Sequence, residues 1–333
     1  MFSDDLLNWY DQNRRALPWR GTRDPYRVWL SEIMLQQTQA ETVKGYYARF
    51  LARFPDVTAL AAAEEDEVLK LWEGLGYYSR ARNLHAAAKV VAAAGGAFPG
   101  DAEALRKLPG IGPYAANAIA SIAYGEPVPA LDGNQARVLT RVLAWEDVIK
   151  TPFDLVTPAT GLLSKSRPGD YNQALMDLGA MICTPRQPKC GLCPVSAHCL
   201  AHREDAAMEY PRKNTPAAKK EQDWTILLVY ADGAPLVRRR PKGLLGGLYE
   251  FVAVEGHPGP EGLVEALTKQ GFTGVRLLDR LPEARHVFTH LVWYMHGWRA
   301  ECTGYPEPYV PAADLDALAF PSALRVYRRA AEK

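Results

Sequence analysis

The stretch LPGIGPYAANAIASIAYGEPVPALDGN, residues 108–134, holds the pattern from which the fold of this chain is predicted. Gly110 and Gly112 stand two apart between two helical runs, 102–107 and 113–124. Glycine permits a positive φ, so a tight turn between two helices can form there. Such a turn leaves backbone N–H groups pointing outward at a helix N-terminus, where a phosphate binds. The pattern predicts a helical hairpin that holds an anion.

Asp132 follows the second run and stands just ahead of an amphipathic segment, 136–143. Two interpretations are open for it. In the first, Asp132 caps a helix N-terminus. In the second, its carboxylate acts chemically on the anion that the hairpin binds. On this stretch alone the capping role is favoured, so a catalytic role depends on the rest of the chain.

Length and composition indicate a globular protein of about two domains. The chain has 333 residues, of which 48% are hydrophobic and 23% charged, with a net charge of +1. A net charge of +1 indicates no strong overall attraction to nucleic acid. Phosphate binding, however, needs positive potential only locally. The N-terminal segment is acidic and then amphipathic, unlike a signal peptide. No apolar run approaches membrane-spanning length, and we expect a cytoplasmic protein with no membrane contact.

The chain changes character after its first two hundred residues. Helical periodicity dominates up to residue 204, beginning with an N-terminal amphipathic helix and then a run opened by Asp24 and Pro25. Residues 205–222 are charged, contain prolines and lack an apolar period, which is typical of a linker. From Trp224 onward, β-like segments alternate with two helical runs. We predict an all-α region followed by a mixed α/β domain.

Four of the five cysteines form one cluster, Cys183, Cys190, Cys193 and Cys199, with spacing C-x6-C-x2-C-x5-C. In a chain without an export signal, this favours a metal site over disulfides. Four thiolates can hold tetrahedral zinc or a [4Fe–4S] cluster. Zinc ribbons use two CxxC pairs, whereas only one close pair is present here, so iron–sulfur is favoured. Cys302 stands alone and is expected to pack against a strand.

The hairpin LPGIGPYAA, Asp132 downstream and the cysteine spacing together resemble the helix-hairpin-helix DNA glycosylases of the endonuclease III superfamily. Within it, SEIMLQQTQ at 31–39 and WEGLGYYSRARNL at 72–84 look like the MutY-type adenine DNA glycosylases. The cysteine spacing is specific, whereas the hairpin alone is a weak signal. The resemblance covers nearly all of the helical region and continues into the C-terminal domain.

The resemblance implies a multi-domain architecture. Residues 1–204 would form an all-α glycosylase region, in which 24–128 make a six-helix domain and 1–23 with 129–204 make the cluster domain. Residues 223–333 would form an α/β Nudix-like domain that recognises 8-oxoguanine. The implied cofactor is a [4Fe–4S] cluster, and the implied partner is double-stranded DNA with A:8-oxoG or A:G mispairs. We expect a monomer, associated with the nucleoid when bound to DNA.

Glu32 and Asp132 are the expected catalytic pair. Cleaving an N-glycosidic bond needs a proton for the leaving base and stabilisation of a cationic sugar, which two carboxylates with different pKa values can share. Trp29 and Leu35 place Glu32 in an apolar setting that raises its pKa. The resemblance implies that Glu32 protonates a flipped adenine and that Asp132 stays ionised beside the sugar. It also implies that Asn134 hydrogen-bonds near the aspartate, although a helix-start role is almost as well supported.

Tyr114 departs from the bifunctional members of the superfamily. In those enzymes this hairpin position carries a lysine that attacks the sugar and forms a Schiff base. A tyrosine has no amine to form one, so the resemblance implies a monofunctional glycosylase that leaves an abasic site. The alternatives are a bifunctional endonuclease III-like lyase and a non-catalytic iron–sulfur DNA-binding protein. Tyr114 argues against the first, and the presence of two carboxylates argues against the second.

Other site residues also follow from the resemblance. Trp19, Arg20 and Gln173 match positions that line the adenine pocket, although Arg20 also suits a surface charge. Base extrusion costs a few kcal/mol of unstacking, which inserted side chains offset. The expected DNA contacts are Gln36, Gln37, Thr38, Leu75, Tyr77, Gly110 and Gly112.

The C-terminal domain begins with a partial Nudix signature. GLLGGLYEFV at 243–252 resembles its start, but EGLVEALTKQGF at 261–272 lacks the paired glutamates that would hold magnesium. We therefore expect a Nudix-like fold without hydrolase activity. The family's Phe-Ser-His loop appears as Phe288, Thr289 and His290, which is also consistent with an ordinary turn between strands. Thr289 keeps the hydroxyl that would bond 8-oxoguanine, with an added methyl group.

Overall fold

The computed structural model describes residues 1–212, 218–241 and 243–332. Of these, 1–63 and 82–212 form one compact unit, and 64–81 with 218–332 form a second. No helix within the described ranges is both long enough and apolar enough to cross a membrane.

The first 212 residues are helical throughout, as the periodicity predicted. Between the helices lie short 3-10 turns. The helices are α1 (Phe2–Asn13), α2 (Pro25–Leu35), α3 (Ala40–Arg53), α4 (Val57–Ala61), α5 (Glu65–Leu71), α6 (Ser79–Ala93), α7 (Ala102–Leu105), α8 (Pro113–Ile119), α9 (Gly133–Val142), α10 (Val156–Leu162), α11 (Pro168–Met181) and α12 (Leu200–Arg203).

The run that follows Asp24 folds as two helices, α2 and α3. Asp24 caps α2, accepting hydrogen bonds from the backbone N–H groups of the second and third helical residues. The chain then breaks between α2 and α3, where Gln37 has a φ of +55°. A left-handed conformation is unfavourable for a side chain of this size and marks a functional candidate. Gln37 itself is exposed at this break.

The predicted hairpin lies between α7 and α8, and its two glycines have different roles. Gly110 has a φ of +72°, and an added Cβ would lie 2.4 Å from the Cβ of Asn83. Gly112 instead has a φ of −82° and caps α8, with Pro113 in the first turn. The expectation of a positive φ therefore holds for Gly110 alone. Helix α8 continues as a π-helical turn, Ala120–Tyr124.

Helices α1, α9 and α11 share one apolar core. Leu6 and Leu7 from α1 pack with Val138 and Val142 from α9 and with Leu178 from α11. Three of the clustered cysteines lie against this core. The burial of these side chains fixes the directions of α9 and α11, which carry much of the site described below.

The second unit is built on a seven-stranded sheet. Its order is β3-β2-β1-β6-β5, with β4 paired to β1 and β7 to β2; β1 and β6 are parallel. The strands are β1 (Lys220–Ala231), β2 (Ala234–Arg239), β3 (Tyr249–Glu250), β4 (Val252–Glu255), β5 (Arg276–Val287), β6 (Leu291–Glu301) and β7 (Val310–Pro311). The helices are α13 (Pro260–Lys269) and α14 (Arg325–Ala331).

Strand β1 is buried on both faces. Leu227 and Val229 pack with α13, whereas Ile226 and Leu228 pack in the cluster that contains Tyr327 of α14. The unit is thus an α/β domain with a helix on each face of its central strand. Cys302 is buried in the first of these clusters, the packing role expected from its sequence context.

Residues 64–81 group with the C-terminal domain, although the predicted six-helix domain of 24–128 included them. Charged and backbone contacts account for the difference. Asp66 pairs with Arg239, and Glu73 pairs with Arg328 at 2.6 Å. The Tyr78 hydroxyl donates to the carbonyl of Phe320 at 3.2 Å. Sequence periodicity contains no information about such long-range pairs.

The predicted linker is partly structured at both ends. Tyr210 is buried, and its carbonyl accepts a hydrogen bond from Arg141, so the start of the linker packs on the helical unit. Strand β1 begins at Lys220, earlier than predicted, because its first residues pair with the start of β6. Residues 213–217 of the linker lie outside the described residues.

The hairpin gives a matched pair of substitutions. Gly110→Ala should lower the free energy of unfolding by about 1–3 kcal/mol, because alanine at a positive φ is strained and its Cβ overlaps Asn83. Gly112→Ala is the control, with an ordinary φ and open space around it, and should change stability by less than about 0.5 kcal/mol. Chemical unfolding followed by far-UV circular dichroism measures both. Equal stabilities would contradict the difference assigned to the two glycines.

Candidate active site

One open cleft of about 1010 Å³ lies in the helical unit and brings together all four predicted catalytic residues with five other predicted site residues. Its walls come from the segment between α1 and α2, the end of α2, and helices α8, α9 and α11. The predicted residues that line it are Trp19, Arg20, Glu32, Gln36, Gln37, Thr38, Tyr114, Asp132 and Asn134. Residues far apart in sequence therefore meet on one surface.

Glu32 lies near the end of α2 and is almost completely buried, with 5% of its surface exposed. The Tyr114 hydroxyl, from the first turn of α8, donates to its Oε2 at 2.5 Å. Burial raises the pKa of Glu32 above its ordinary value, and the nearby charge of Asp132 adds to that shift. The Tyr114 hydrogen bond and Arg20 oppose the shift. A carboxyl with a raised pKa retains its proton to higher pH, as a general acid must.

Asp132 both caps α9 and faces the cleft. Its Oδ1 accepts from the Gln135 backbone N–H at 2.7 Å, and its Oδ2 lies 3.4 Å from Nδ2 of Asn134. Burial raises the pKa of Asp132 as well, whereas these N–H donors and Arg137 lower it. The two interpretations from sequence are therefore compatible, because Asp132 caps the helix through Oδ1 and also lines the cleft.

The segment before Asp132 is held by α11. Asn172 accepts from the Ala130 backbone N–H at 3.0 Å and donates to the Val128 carbonyl at 2.9 Å. Gly179 lies farther along α11 and lets that helix approach α9 closely. A Cβ added at Gly179 would lie 2.8 Å from Cβ of Asn134. The position of Asp132 is thus determined by α11 as well as by the helix that Asp132 caps.

A buried carboxylate that the sequence analysis missed organises the arginines of the cleft. Asp177 of α11 has no exposed surface and accepts from Nε of Arg15 at 2.8 Å and from Nη2 of Arg20 at 2.9 Å. Arg20 also donates to Oε1 of Gln173. Arg20 is therefore an anchored part of the site, and its alternative role as a surface charge is wrong. An acidic residue within the apolar stretch ALMDLGAM of α11 was the available signal, because buried charges require partners.

The predicted adenine-pocket residues adjoin one another through these contacts. Trp19 is buried in the cleft wall, edge-on to Tyr47 with ring centroids 5.4 Å apart. Gln173 lies on the wall of a neighbouring cavity of about 290 Å³ and reaches the cleft through its bond to Arg20. Flat and amide side chains arranged in this way suit a planar heterocycle with donors and acceptors on its edge.

The predicted DNA contacts divide into three groups. Gln36, Gln37 and Thr38 form part of the cleft lining, and Gln37 is exposed at the helix break. Gly112 is open, with no heavy atom near its Cβ position, so a phosphate can approach its backbone. In the 74–78 loop, Tyr77 is 46% exposed but Leu75 is only 5% exposed. Leu75 is therefore buried in the loop rather than available as a wedge, since its apolar side chain is removed from water by packing.

Phe288, Thr289 and His290 form the tip of the β5–β6 hairpin. The Phe288 N–H bonds the carbonyl of Leu291 at 2.8 Å, which closes a tight turn. Phe288 packs edge-on against Trp293, whereas Thr289 and His290 are exposed. The turn is thus ordinary in its backbone, and its two polar side chains are accessible to a ligand.

The four clustered cysteines line a single apolar pocket, and none is in a disulfide. Across the described residues, no three histidine, cysteine or acidic side chains converge closely enough to hold a single metal ion. Four separated thiols around one pocket suit a multi-iron cluster, which spreads its ligands more widely than tetrahedral zinc does. Burial raises the pKa of Cys193 to about 11, so thiolates here need a cationic partner.

Two arginines of α9 hold the start of the cysteine loop, and one of them, Arg137, also lines the cleft. Arg137 donates to Oδ1 of Asn134 at 2.8 Å and to the carbonyl of Cys183 at 2.9 Å. Arg141 donates to Sγ of Cys183 at 3.3 Å and to two carbonyls just beyond it. Asn134 is therefore oriented by an arginine that also holds the start of the cysteine loop.

Three family models match consecutive parts of the chain. Residues 30–155 match the HhH-GPD superfamily of base excision DNA repair proteins, and 183–199 match the iron–sulfur binding domain of endonuclease III. Residues 225–330 match the NUDIX domain. The second match begins and ends at the outer two of the four clustered cysteines.

Similar proteins extend across both units. An adenine DNA glycosylase of Mus musculus is 38% identical over 87% of this chain and 68% of its own length. One from Arabidopsis thaliana is 41% identical over 75% of this chain and 46% of its own length. One from Buchnera aphidicola (subspecies Baizongia pistaciae) is 33% identical over 89% of this chain and 85% of its own length.

Solved structures resemble part of the chain. A thermostable thymine-DNA glycosylase superimposes with a TM-score of 0.57 at 32% identity, covering 61% of this chain and 95% of its own. A trapped endonuclease III–DNA covalent intermediate superimposes with a TM-score of 0.53, covering 61% of this chain and 94% of its own. At 20% identity, the second structure shows a shared fold only.

Replacing one clustered cysteine should remove the cluster. Cys193→Ser takes away a thiolate from the shared pocket, so the purified variant should lose most of its iron and its visible absorption. Cys302→Ser is the matched control, because it changes a buried cysteine of the other unit. Iron analysis and absorption spectra measure both. Full iron content in Cys193→Ser would argue against that thiol as a ligand.

The raised pKa of Glu32 predicts a gain in stability on its replacement. Ionisation of the buried Glu32 opposes folding. The stability that protonated Glu32 contributes is therefore present at low pH and is lost as the pH rises through its raised pKa. Glu32→Gln does not ionise and should increase the free energy of unfolding at pH 8 by roughly 1–2 kcal/mol. The difference from the parent should vanish near pH 4. The exposed Glu41→Gln, on the same cleft, should show no such pH-dependent gain.

Proposed function

The chain belongs to the adenine DNA glycosylase family, and from this membership we propose that it removes adenine mispaired with 8-oxoguanine or guanine. It is a base excision repair enzyme that binds DNA and carries an iron–sulfur cluster. The observation that carries the proposal is the buried Glu32, held by the Tyr114 hydroxyl in a cleft that also contains Asp132.

The geometry supports a hydrolytic mechanism with separate roles for the two carboxyl groups. A flipped adenine enters the cleft, and protonated Glu32 donates its proton to the base. The bond between C1′ and the adenine nitrogen then breaks, its electron pair leaves with the base, and the sugar becomes cationic. Ionised Asp132 stabilises that cation until water adds to C1′ and releases a proton. Arg15 and Arg20, fixed by Asp177, add positive charge at the cleft wall.

The cleft supports monofunctional chemistry. A lyase needs an amine that attacks C1′ and forms a Schiff base. None of the described residues that line this cleft is a lysine, and the hairpin position carries Tyr114. Burial and the neighbouring carboxylates raise the pKa of Tyr114 well above its ordinary value, so its hydroxyl remains a hydrogen-bond donor. Water is the remaining nucleophile, and its product is an abasic site.

The second unit is proposed to read the base opposite the adenine. Thr289 and His290 are polar and exposed at the tip of a short hairpin, as a base-reading element requires. The carboxyl groups, the arginines and the cysteines all come from one chain, which supports action as a monomer. A DNA substrate supports a cytoplasmic location at the nucleoid, which cell fractionation would test.

The deciding experiment uses duplexes with A opposite 8-oxoG, G or T, and a T:G duplex for the thymine activity of the structural relative. The protein should release adenine, and strand breaks should appear only after alkali. Glu32→Gln and Asp132→Asn should each lower single-turnover base release by at least about 10³-fold, because each removes a group that acts in the transition state. Gel-shift affinity for the duplex should stay within about threefold of the parent.

Three results would contradict the proposal. Near-normal turnover in either variant would remove the assigned carboxyl roles. A borohydride-trapped covalent complex in good yield would indicate a lyase instead. No base release from any duplex would indicate a non-catalytic DNA-binding protein. Glu41→Gln again serves as the control for an exposed carboxylate on the same cleft.

The role of the hairpin tip has its own test. Thr289→Val keeps the shape of the side chain but removes its hydroxyl, so it should lower the rate ratio of 8-oxoG:A to G:A by about three- to tenfold. The rate on G:A should change little. Single-turnover rates on both duplexes measure the ratio. An equal loss on both substrates would show that Thr289 supports the fold or general binding, not recognition of the damaged base.

A further inference from the structure

The helical unit contains a second cavity, of about 290 Å³, which is separate from the catalytic cleft. The two share no lining residue. The second cavity is bordered by α1, the segment between α1 and α2, the π-helical turn after α8 and the first turn of α11. Its volume is close to the lower end for small-molecule pockets, roughly 300 Å³. It can therefore hold a small ligand, and the proposed reaction gives it no role.

This cavity has a buried floor and an exposed rim. Tyr10, Ser121 and Gly169 are buried at the floor, whereas Arg14 and Arg23 are exposed at the rim. A Cβ added at Gly169 would lie 2.7 Å from the carbonyl oxygen of Ser121, so α11 begins in close contact with the π-helical turn. The floor is thus formed by closely packed backbone, which holds its shape without a ligand.

Arginines make the rim positively charged. Among the described residues, neither Arg14 nor Arg23 has an ion-pair partner. Arg167 also lines the cavity, but it donates to Asp11 at 2.6 Å and to Asp170 at 2.9 Å. Asp170 is the one acidic residue in the described lining, and this bond pairs it with Arg167. Two guanidinium groups therefore remain available to an anion.

The first turn of α11 adds backbone donors at the same place. Its capping residue, Arg167, makes no side-chain cap, and Pro168 has no N–H. The Tyr171 N–H bonds the Arg167 carbonyl at 2.9 Å, so the N–H groups of Gly169 and Asp170 lie before the first helical hydrogen bond. The N-terminus of this 14-residue helix also carries a partial positive charge. Both features favour an anion.

The Tyr10 hydroxyl is a further donor that lacks an acceptor. Tyr10 is 2% exposed and lines the cavity, and within the described ranges its hydroxyl forms no hydrogen bond. Burial raises the pKa of Tyr10 above its ordinary value, so the phenol keeps its proton. The charges of Asp170 and Arg14 also act on that pKa, which indicates that the hydroxyl lies near the charged groups of the cavity. A buried donor without an acceptor is costly, and a bound anion would supply one.

We propose that this cavity binds a small phosphate compound, whose phosphate group is held by Arg14, Arg23, the Tyr10 hydroxyl and the first turn of α11. All of these groups donate hydrogen bonds, and a phosphate has enough acceptor oxygens to receive them from several directions. The volume leaves room for an organic group attached to the phosphate. This site goes beyond the proposed function, and neither depends on the other.

A phosphate group has two possible sources, a free compound and the DNA backbone. The cavity shares no lining residue with the cleft that would receive a flipped base, which favours the free compound. Glycerol 3-phosphate and inorganic phosphate are suitable probes, because neither contains a base that would enter the adenine pocket. Undamaged duplex DNA is the probe for the other source.

The test is isothermal titration of the full-length, cluster-containing protein with each probe. Both phosphate probes should show saturable binding at one site. Arg14→Gln and Arg23→Gln should each weaken it by about three- to tenfold, because each removes a charged donor at the rim. Arg49→Gln, an exposed arginine of the same unit outside the cavity lining, is the matched control and should bind both probes as the parent does.

A third variant tests the buried donor. Tyr10→Phe removes only the hydroxyl, and it should weaken phosphate binding by about three- to tenfold. The melting temperature of the ligand-free variant should be unchanged or higher, because the lost hydroxyl had no partner. A lower melting temperature with unchanged phosphate affinity would show a structural hydroxyl and would overturn its assignment to the site.

Three further outcomes overturn the proposal. Absence of saturable binding below about 10 mM of either phosphate probe would show that the cavity holds no phosphate compound. Equal affinity in the parent, Arg14→Gln and Arg23→Gln would show that the probes bind elsewhere. Displacement of glycerol 3-phosphate by duplex DNA, with weaker duplex binding in both arginine variants, would assign the cavity to the DNA backbone. Base release is not measured in any of these experiments, so their failure is distinct from failure of the proposed function.

Discussion

The hydrogen bond from Tyr114 to the buried carboxyl of Glu32 is the interaction on which the site depends. It joins α2 to α8 across 82 residues and lies where burial disfavours a charged carboxylate. The surrounding helices maintain a group that opposes folding once it ionises. The same burial keeps Glu32 protonated, so that Glu32 can donate a proton to a leaving base. Catalysis and the reduced stability therefore have one physical cause.

Networks of hydrogen bonds and ion pairs hold the other side chains of the site in place around the buried Glu32. Asp177 forms ion pairs with two arginines, Asn172 holds the segment before Asp132, and Arg137 joins Asn134 to the first cysteine. Each network satisfies groups that would be costly to bury alone. Most of these partners come from α9 and α11, which share one apolar core with α1. Packing of this core therefore supports both the acid–base pair and the cysteine loop.

Much of the fold was predictable because it depends on local signals. The capping residue Asp24, the hairpin glycines and the β-like segments after Trp224 each led to elements that the structure contains. The cysteine spacing indicated iron–sulfur binding without any tertiary information. The burial of Leu75 and the role of Asp177 were not predicted, since each depends on contacts that form only in the folded chain.

The sequence by itself determined the family, the likeness of the two regions to known domains and the residue types available for catalysis, since these follow from motifs and short-range periodicity. The tertiary structure decided which of those residues meet. It buried Glu32 against Tyr114, anchored Arg20 on Asp177 and bonded Tyr77 to Thr289. The physical reason is that pKa shifts, ion pairing and rotamer restriction depend on distance and burial, which arise only when remote segments pack together.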